Sequence, residues 1–156
     1  MAKVTVYTDG GASGNPGPGG YGAVMLSGKH YKELSGAFRL TTNNRMELLA
    51  VIKSLEALKT PGTEVTVYSD SKYVVDSVKK KWVFGWVKKN FKGKKNPDLW
   101  KRFLKIYEIH KVEFVWVKGH AGNEFNEVAD KLAVSAYADG ILPLEVDVAY
   151  EASEKD

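Results

Sequence analysis

Val4-Thr5-Val6-Tyr7-Thr8-Asp9 opens the first regular element of the chain, and Val65-Thr66-Val67-Tyr68-Ser69-Asp70 repeats it almost residue for residue. β-Branched and aromatic side chains at alternate places suit a pleated strand, and in both runs an aspartate follows where the core pattern stops. Between the twins lie two more strand patterns, Tyr21–Ser27 and Tyr31–Leu40, joined by the turn Gly28-Lys29-His30. A helix follows over 44–58, with Leu48, Val51, Ile52, Leu55 and Leu58 at helical spacing and Thr60-Pro61-Gly62 as its stop. A helix between two strands is what a parallel crossover requires. The twins are therefore expected side by side, with Asp9 and Asp70 at neighbouring carboxyl ends, where open α/β sheets place their sites.

Beyond this pair, Ser71 caps a helix to about residue 80, and 82–90 reads as a short helix broken near Gly85. Asn96-Pro97-Asp98 opens a helix whose stripe is Leu99, Phe103, Ile106 and Tyr107, with proline in the first turn. Val112–Val117 is a fifth strand, and 123–138 a last helix with Phe125, Val128, Ala129, Leu132, Ala133 and Ala136 on one face. Gly10 to Gly20, with six glycines and two prolines, reads as a loop. The order predicts an α/β fold: a mixed five-stranded sheet, three antiparallel strands and then parallel additions, flanked by helices. One domain is expected over 1–139, with an acidic, partly disordered tail over 140–156.

At 156 residues the chain can bury a proper core. It has no cysteine, which excludes disulfides and thiolate metal sites and leaves oxygen or imidazole as metal ligands. No apolar run reaches the length of a membrane span and no signal-peptide core opens the chain, so a cytoplasmic protein without membrane partners is expected. The net charge of +4 is unevenly spread. Residues 79–95 carry eight lysines and no acid, while 139–156 carry six acids and one lysine. A polyanion would meet one basic patch. There, Trp82, Phe84, Trp86 and Phe91 interleave with lysines; the aromatics are expected as anchors and the lysines outside.

Four acids stand out: Asp9, Glu47, Asp70 and Asp130. Any one has an ordinary explanation. Asp9 or Asp70 alone suits a turn, Asp130 an exposed helix face, and Glu47 a capping box three residues after Asn44. Brought together, their repulsion demands a partner, and hard divalent cations take oxygen ligands. Two such ions are common apparatus for phosphodiester chemistry. His120, in the turn Gly119-His120-Ala121-Gly122, could move a proton near neutral pH, whereas His30 and His110 lack such company. The glycine-rich loop is neither a Walker loop nor a dinucleotide fingerprint, because a strand and not a helix follows it.

The motifs Tyr7-Thr8-Asp9-Gly10, Gly14-Asn15-Pro16-Gly17-Pro18-Gly19-Gly20-Tyr21-Gly22, Thr41-Thr42-Asn43-Asn44-Arg45-Met46-Glu47-Leu48 and Tyr68-Ser69-Asp70-Ser71-Lys72-Tyr73-Val74 run in order. Asp98-Leu99-Trp100, Trp116-Val117-Lys118-Gly119-His120-Ala121-Gly122, Asn126-Glu127 and Ala129-Asp130 follow. In this order and spacing the chain resembles the bacterial type 1 ribonucleases H from about Lys3 to Ala138. The resemblance implies an endoribonuclease that cuts the RNA strand of an RNA–DNA hybrid with Mg²⁺, or Mn²⁺ in its place, leaving 5′-phosphate and 3′-hydroxyl ends. It implies that Asp9 bridges two ions, that Asp130 holds the ion activating water, and that Glu47 and Asp70 hold the ion at the departing oxygen. His120 would assist proton movement or product release.

By the same resemblance, Asn15, Asn43 and Asn44 line the minor groove and Thr42 and Arg45 lie near a DNA-strand phosphate. Lys72 stands where a glutamine is common, and Gly85 where a polar phosphate ligand is expected. Trp82, Trp86, Lys88 and Lys89 belong to a basic protrusion that grips the hybrid. A monomer with no obligate protein partner is implied. Two other readings share the fold, a non-catalytic nucleic-acid-binding module and a DNA-cutting nuclease. The first would require a missing acid, and the asparagine-lined loop argues against the second.

Overall fold

The computed structural model describes residues 3–119 and 123–154. Strand β1 (Lys3–Ala12) turns into β2 (Gly17–Ser27) and β3 (His30–Thr41); helix α1 (Asn43–Glu56) crosses to β4 (Glu64–Ser69). Helices α2 (Lys72–Lys79), α3 (Trp82–Lys88) and α4 (Pro97–Tyr107) precede β5 (Lys111–Trp116), and α5 (Glu124–Ala138) and α6 (Val148–Glu154) follow. The sheet order is β3-β2-β1-β4-β5. β1 pairs antiparallel with β2 and parallel with β4, Tyr7 opposite Tyr68, so the twin runs do lie side by side. The stacked Tyr7 and Tyr68 rings, 4.8 Å apart, mark that register.

The strand pleat divides the side chains between two layers. Val6, Val65, Val67 and Phe114 are buried together with Leu48, Val51, Ile52 and Leu55 of α1, and with Trp100 and Phe103 of α4. α5 covers the other face of β1, β2 and β3, and Phe125 reaches Tyr7 across it.

Three elements differ from the sequence reading. The glycine-rich stretch is mostly strand: β1 runs on to Ala12 and β2 begins at Gly17, leaving a turn at 13–16 closed by Ser13 N–H donating to the Pro18 carbonyl (2.8 Å). Ladder bonds use only backbone, so glycine is tolerated in a strand where another element must come close. Gly20 and Gly22 are such places, since a Cβ on either would meet a carbonyl oxygen of α5 at 2.6 and 2.5 Å. α3 passes through Gly85 unbroken.

The third difference is the acidic tail, read as an appendage over 140–156. Glu145 adds one parallel bridge to β3, its N–H donating to the Ala37 carbonyl and its own carbonyl accepting from Arg39 N–H, both 2.9 Å. Beyond it, Asp147 is buried, and α6 is tied back by the bidentate pair between Glu151 and Arg39. Backbone pairing at a sheet edge and a buried carboxylate are invisible to a reading based on apolar periodicity.

Candidate active site

Two glycines bring the acids together. Gly10, next to Asp9, has no side chain where the backbone of Met46 and Glu47 passes; a Cβ would lie 2.3 Å from the Met46 carbonyl carbon. Gly22 is paired directly with Asp9, and a Cβ there would lie 2.5 Å from Ala129 O. The first absence seats α1 and Glu47 against the end of β1. The second seats α5 and Asp130 against the same place. Asp70 is supplied by the turn from β4 into α2, held by Ser71, whose side-chain oxygen accepts from Val74 N–H, and by the Trp116 indole N–H donating to the Asp70 carbonyl at 3.1 Å.

Oxygens of Asp9, Glu47 and Asp70 all lie within 4.8 Å of one another. Asp130 lines the same cavity as Thr8, Asp9, Asp70 and Gly119. Burial, then the charge of Asp70, then the neighbouring Asp130 carboxyl push the Asp9 carboxyl from an ordinary 3.8 up to about 7, against the pull of Gly10 N–H donating to Oδ1 at 2.9 Å. Burial and the charges of Asp9 and Asp70 hold Glu47 well above the usual carboxylate range.

No ion pair among the described residues reaches this cluster. Glu47 Oε1 and Asp70 Oδ1 are out of contact with solvent and accept no hydrogen bond. Buried, unpaired carboxylate oxygens are costly, and an all-oxygen donor set of this kind fits a hard divalent cation. Glu47 is available because the helix cap lies elsewhere: Thr42, not Asn44, caps α1, accepting from Arg45 N–H, so Glu47 is not the capping-box partner that its spacing suggested. His120 lies outside the described residues.

The expected substrate contacts fall into three groups. Asn15, Thr42 and Asn44 line one cleft with Lys94, Lys95, Asn96, Tyr150 and Ser153. Asn43 Oδ1 accepts from Ala12 N–H (2.6 Å), while its own N–H donates to Asn15 Oδ1 (2.9 Å). At the Asp70 side, the Lys72 ammonium stands 4.9 Å from the Trp116 ring centroid. On α3, Trp82, Trp86 and Lys89 form a third surface with Lys92 and Lys94, and Lys88 is exposed nearby. Trp86 packs edge-on against the buried Trp100 and so anchors the helix, whereas Trp82 is 46 % exposed.

Arg45 differs most from its expectation. Arg45 is 3 % exposed, and its five guanidinium N–H groups are all engaged: Nε by Asp147, Nη1 by Asn96 and Asp98, Nη2 by Asp98 and Asp147. With no donor left over, it is a buried tie between α1, α4 and the tail, and it also lines the cleft of Asn15, Thr42 and Asn44. Sequence reasoning missed Asp147, Asp98 and Asn96 as its partners. Asp98 carried the look of a first-turn helix acid, and Asp147 carried no signal at all.

Comparison with known proteins agrees with the geometry. The RNase H family model matches residues 1–138. A protein of Desulforamulus reducens named Ribonuclease H is 54 % identical over 151 residues, covering 94 % of each chain. The crystal structure of LC9-RNase H1, described as a type 1 RNase H with the type 2 active-site motif, superposes with a TM-score of 0.81 at 31 % identity over 100 % of this chain and 82 % of that one. LC11-RNase H1, solved in complex with an RNA/DNA hybrid, gives 0.64 at 30 % identity over 88 % of this chain and 99 % of that one. With the family's pattern spanning the whole sheet and every one of the four acids, the chain belongs to the RNase H family.

Proposed function

We propose that this protein is an endoribonuclease that hydrolyses the RNA strand of RNA–DNA hybrids, using divalent cations, Mg²⁺ or Mn²⁺ as a substitute, held by Asp9, Glu47, Asp70 and Asp130. The observation that carries this reading is the set of three carboxylates within 4.8 Å, two of them with buried, partnerless oxygens. When bound, such cations neutralise the charge that builds on the attacked phosphate and acidify water.

The chain's own groups do the rest. Only RNA carries 2′-hydroxyls, and the broad minor groove of an A-like duplex displays them to Asn15, Asn43, Asn44 and Lys72. The Asn43 side-chain oxygen is already taken by the backbone, so its amide N–H₂ is the group that meets a substrate oxygen. Thr42 takes a phosphate of the DNA strand, and Trp82, Trp86, Lys88 and Lys89 hold the duplex farther along by charge and stacking. Arg45 acts from behind, through the turn it anchors. His120 moves a proton at the scissile bond, and the products carry 5′-phosphate and 3′-hydroxyl ends. Residues 1–139 are the catalytic domain of a monomeric cytoplasmic enzyme. No helix among the described residues is long and apolar enough to cross a membrane.

The test is a hybrid labelled on either strand, incubated with protein and Mg²⁺ or with chelator. RNA fragments with 5′-phosphates, formed only with the metal, are expected. Cutting of the DNA strand, or undiminished cutting in chelator, would overturn the proposal.

A further inference from the structure

The tail carries a carboxylate that brackets the hybrid-reading turn. Asp147 is 7 % exposed, and its Oδ2 accepts from Thr41 Oγ1 at 2.8 Å and from Arg45 Nε at 2.7 Å, while Oδ1 accepts from Arg45 Nη2 at 2.8 Å. Thr41 and Arg45 are themselves buried. They stand immediately before and after Thr42-Asn43-Asn44, the cap and first turn of α1, where Thr42 and Asn44 line the cleft and the Asn43 side chain accepts from Ala12 N–H at the end of β1. One buried carboxylate therefore grips both ends of a three-residue segment.

Asp147 is in turn held from two directions. Glu145, two residues earlier, is registered on β3 through both of its backbone groups, and the Asp147 carbonyl accepts from Glu151 N–H at 2.8 Å, starting α6. The guanidinium that it meets is fixed on its other side by Asp98 and Asn96 of α4. Charge-assisted bonds of this length, out of water, hold geometry more tightly than exposed pairs.

We infer that Asp147 is a positioning residue for substrate recognition, which sets the place of Thr42, Asn43 and Asn44 against the hybrid through Thr41 and Arg45 without touching the substrate itself. This rests on the reading of those three residues as hybrid contacts. It assigns the C-terminal segment a part in substrate affinity and none in the chemistry, because none of the four carboxylates lies on that segment and Glu47, two residues past Arg45 on α1, is seated instead by the close approach of Gly10.

The test uses the full chain and Asp147→Asn, whose amide N–H₂ cannot accept from an arginine donor, so one of the three bonds must break. The expected result is a KM for hybrid raised by roughly 5- to 10-fold with kcat and the Mg²⁺ activation midpoint unchanged, the signature of lost uniform binding. Thr41→Val, which removes one hydroxyl and leaves the Arg45 pairs intact, serves where Asp147→Asn folds poorly and should raise KM in the same direction by a smaller factor. Ile52→Val, a core change away from the turn, supplies the comparison for a general loss of stability and should leave KM in place. An unchanged KM in Asp147→Asn and Thr41→Val overturns the inference, as does a fall in kcat or a shifted Mg²⁺ midpoint. A wild-type protein that fails to cut hybrid overturns the underlying reading instead, so the two failures are distinguishable.

Discussion

Replacing Asp9 by asparagine should make the metal-free protein more stable, although it should end activity. The Asp9 carboxyl is pushed from 3.8 up to about 7 by burial and by its acidic neighbours. The folded state therefore keeps a proton that the unfolded chain has released, and each unit of that difference corresponds to about 1.4 kcal/mol. Stability is fully present below about pH 4, declines as the pH rises to about 7, and stays low above it. Three units would give a ceiling of about 4 kcal/mol; partial exposure of the carboxyl reduces this to about 2. In a domain of this size that is about 4–8 °C in Tm.

The assay is thermal unfolding of wild type and Asp9→Asn in chelator from pH 4 to pH 8. The variant should melt higher at pH 8 and together with wild type at pH 4. Added Mg²⁺ should narrow the gap at pH 8, because the cation binds the native cluster of the wild type more tightly. A variant no more stable than wild type at pH 8, or a gain that does not shrink towards pH 4, would show that the acids do not repel one another as the geometry requires.

Three further outcomes are expected. Asp70→Asn should abolish Mg²⁺-dependent cleavage while circular dichroism remains that of the wild type; full activity would remove Asp70 from the metal site. Gly22→Ala should cost about 1–3 kcal/mol by overpacking and lower kcat by on the order of 100-fold as α5 and Asp130 are displaced, measured by urea unfolding and steady-state cleavage. Lys89→Gln should reduce the slope of log affinity against log salt by about 0.7–0.9, the share of one phosphate contact, read from binding titrations in Ca²⁺.

Much of this architecture was legible because it rests on patterns that repeat. The alternating runs ending at Asp9 and Asp70, separated by one helix, required a parallel pair and delivered two acids to one sheet edge. Glu47 was harder. Its spacing from Asn44 suited a capping box, and only the placement of the cap at Thr42 shows that the carboxylate is free of the helix end. The glycines misled for a definite reason: composition argues for a loop, whereas Gly20 and Gly22 are strand residues kept small by the helix above them. Arg45 and Asp147 could not be paired by any local rule, since they meet through tertiary packing alone. The tail had no apolar rhythm to read, and it docks by edge pairing and ion pairs.

The four acids sit on β1, α1, the β4–α2 turn and α5, so they are contributed by nearly the whole length of the polypeptide. A chain emerging from the ribosome with α5 still in the exit tunnel already has three of them but lacks Asp130. Asp9 and Asp130 line one cavity although 121 positions separate them, so α5 completes an arrangement begun by the first strand. The set is therefore delivered late in synthesis: a nascent fragment holds no complete group of acids until α5 docks.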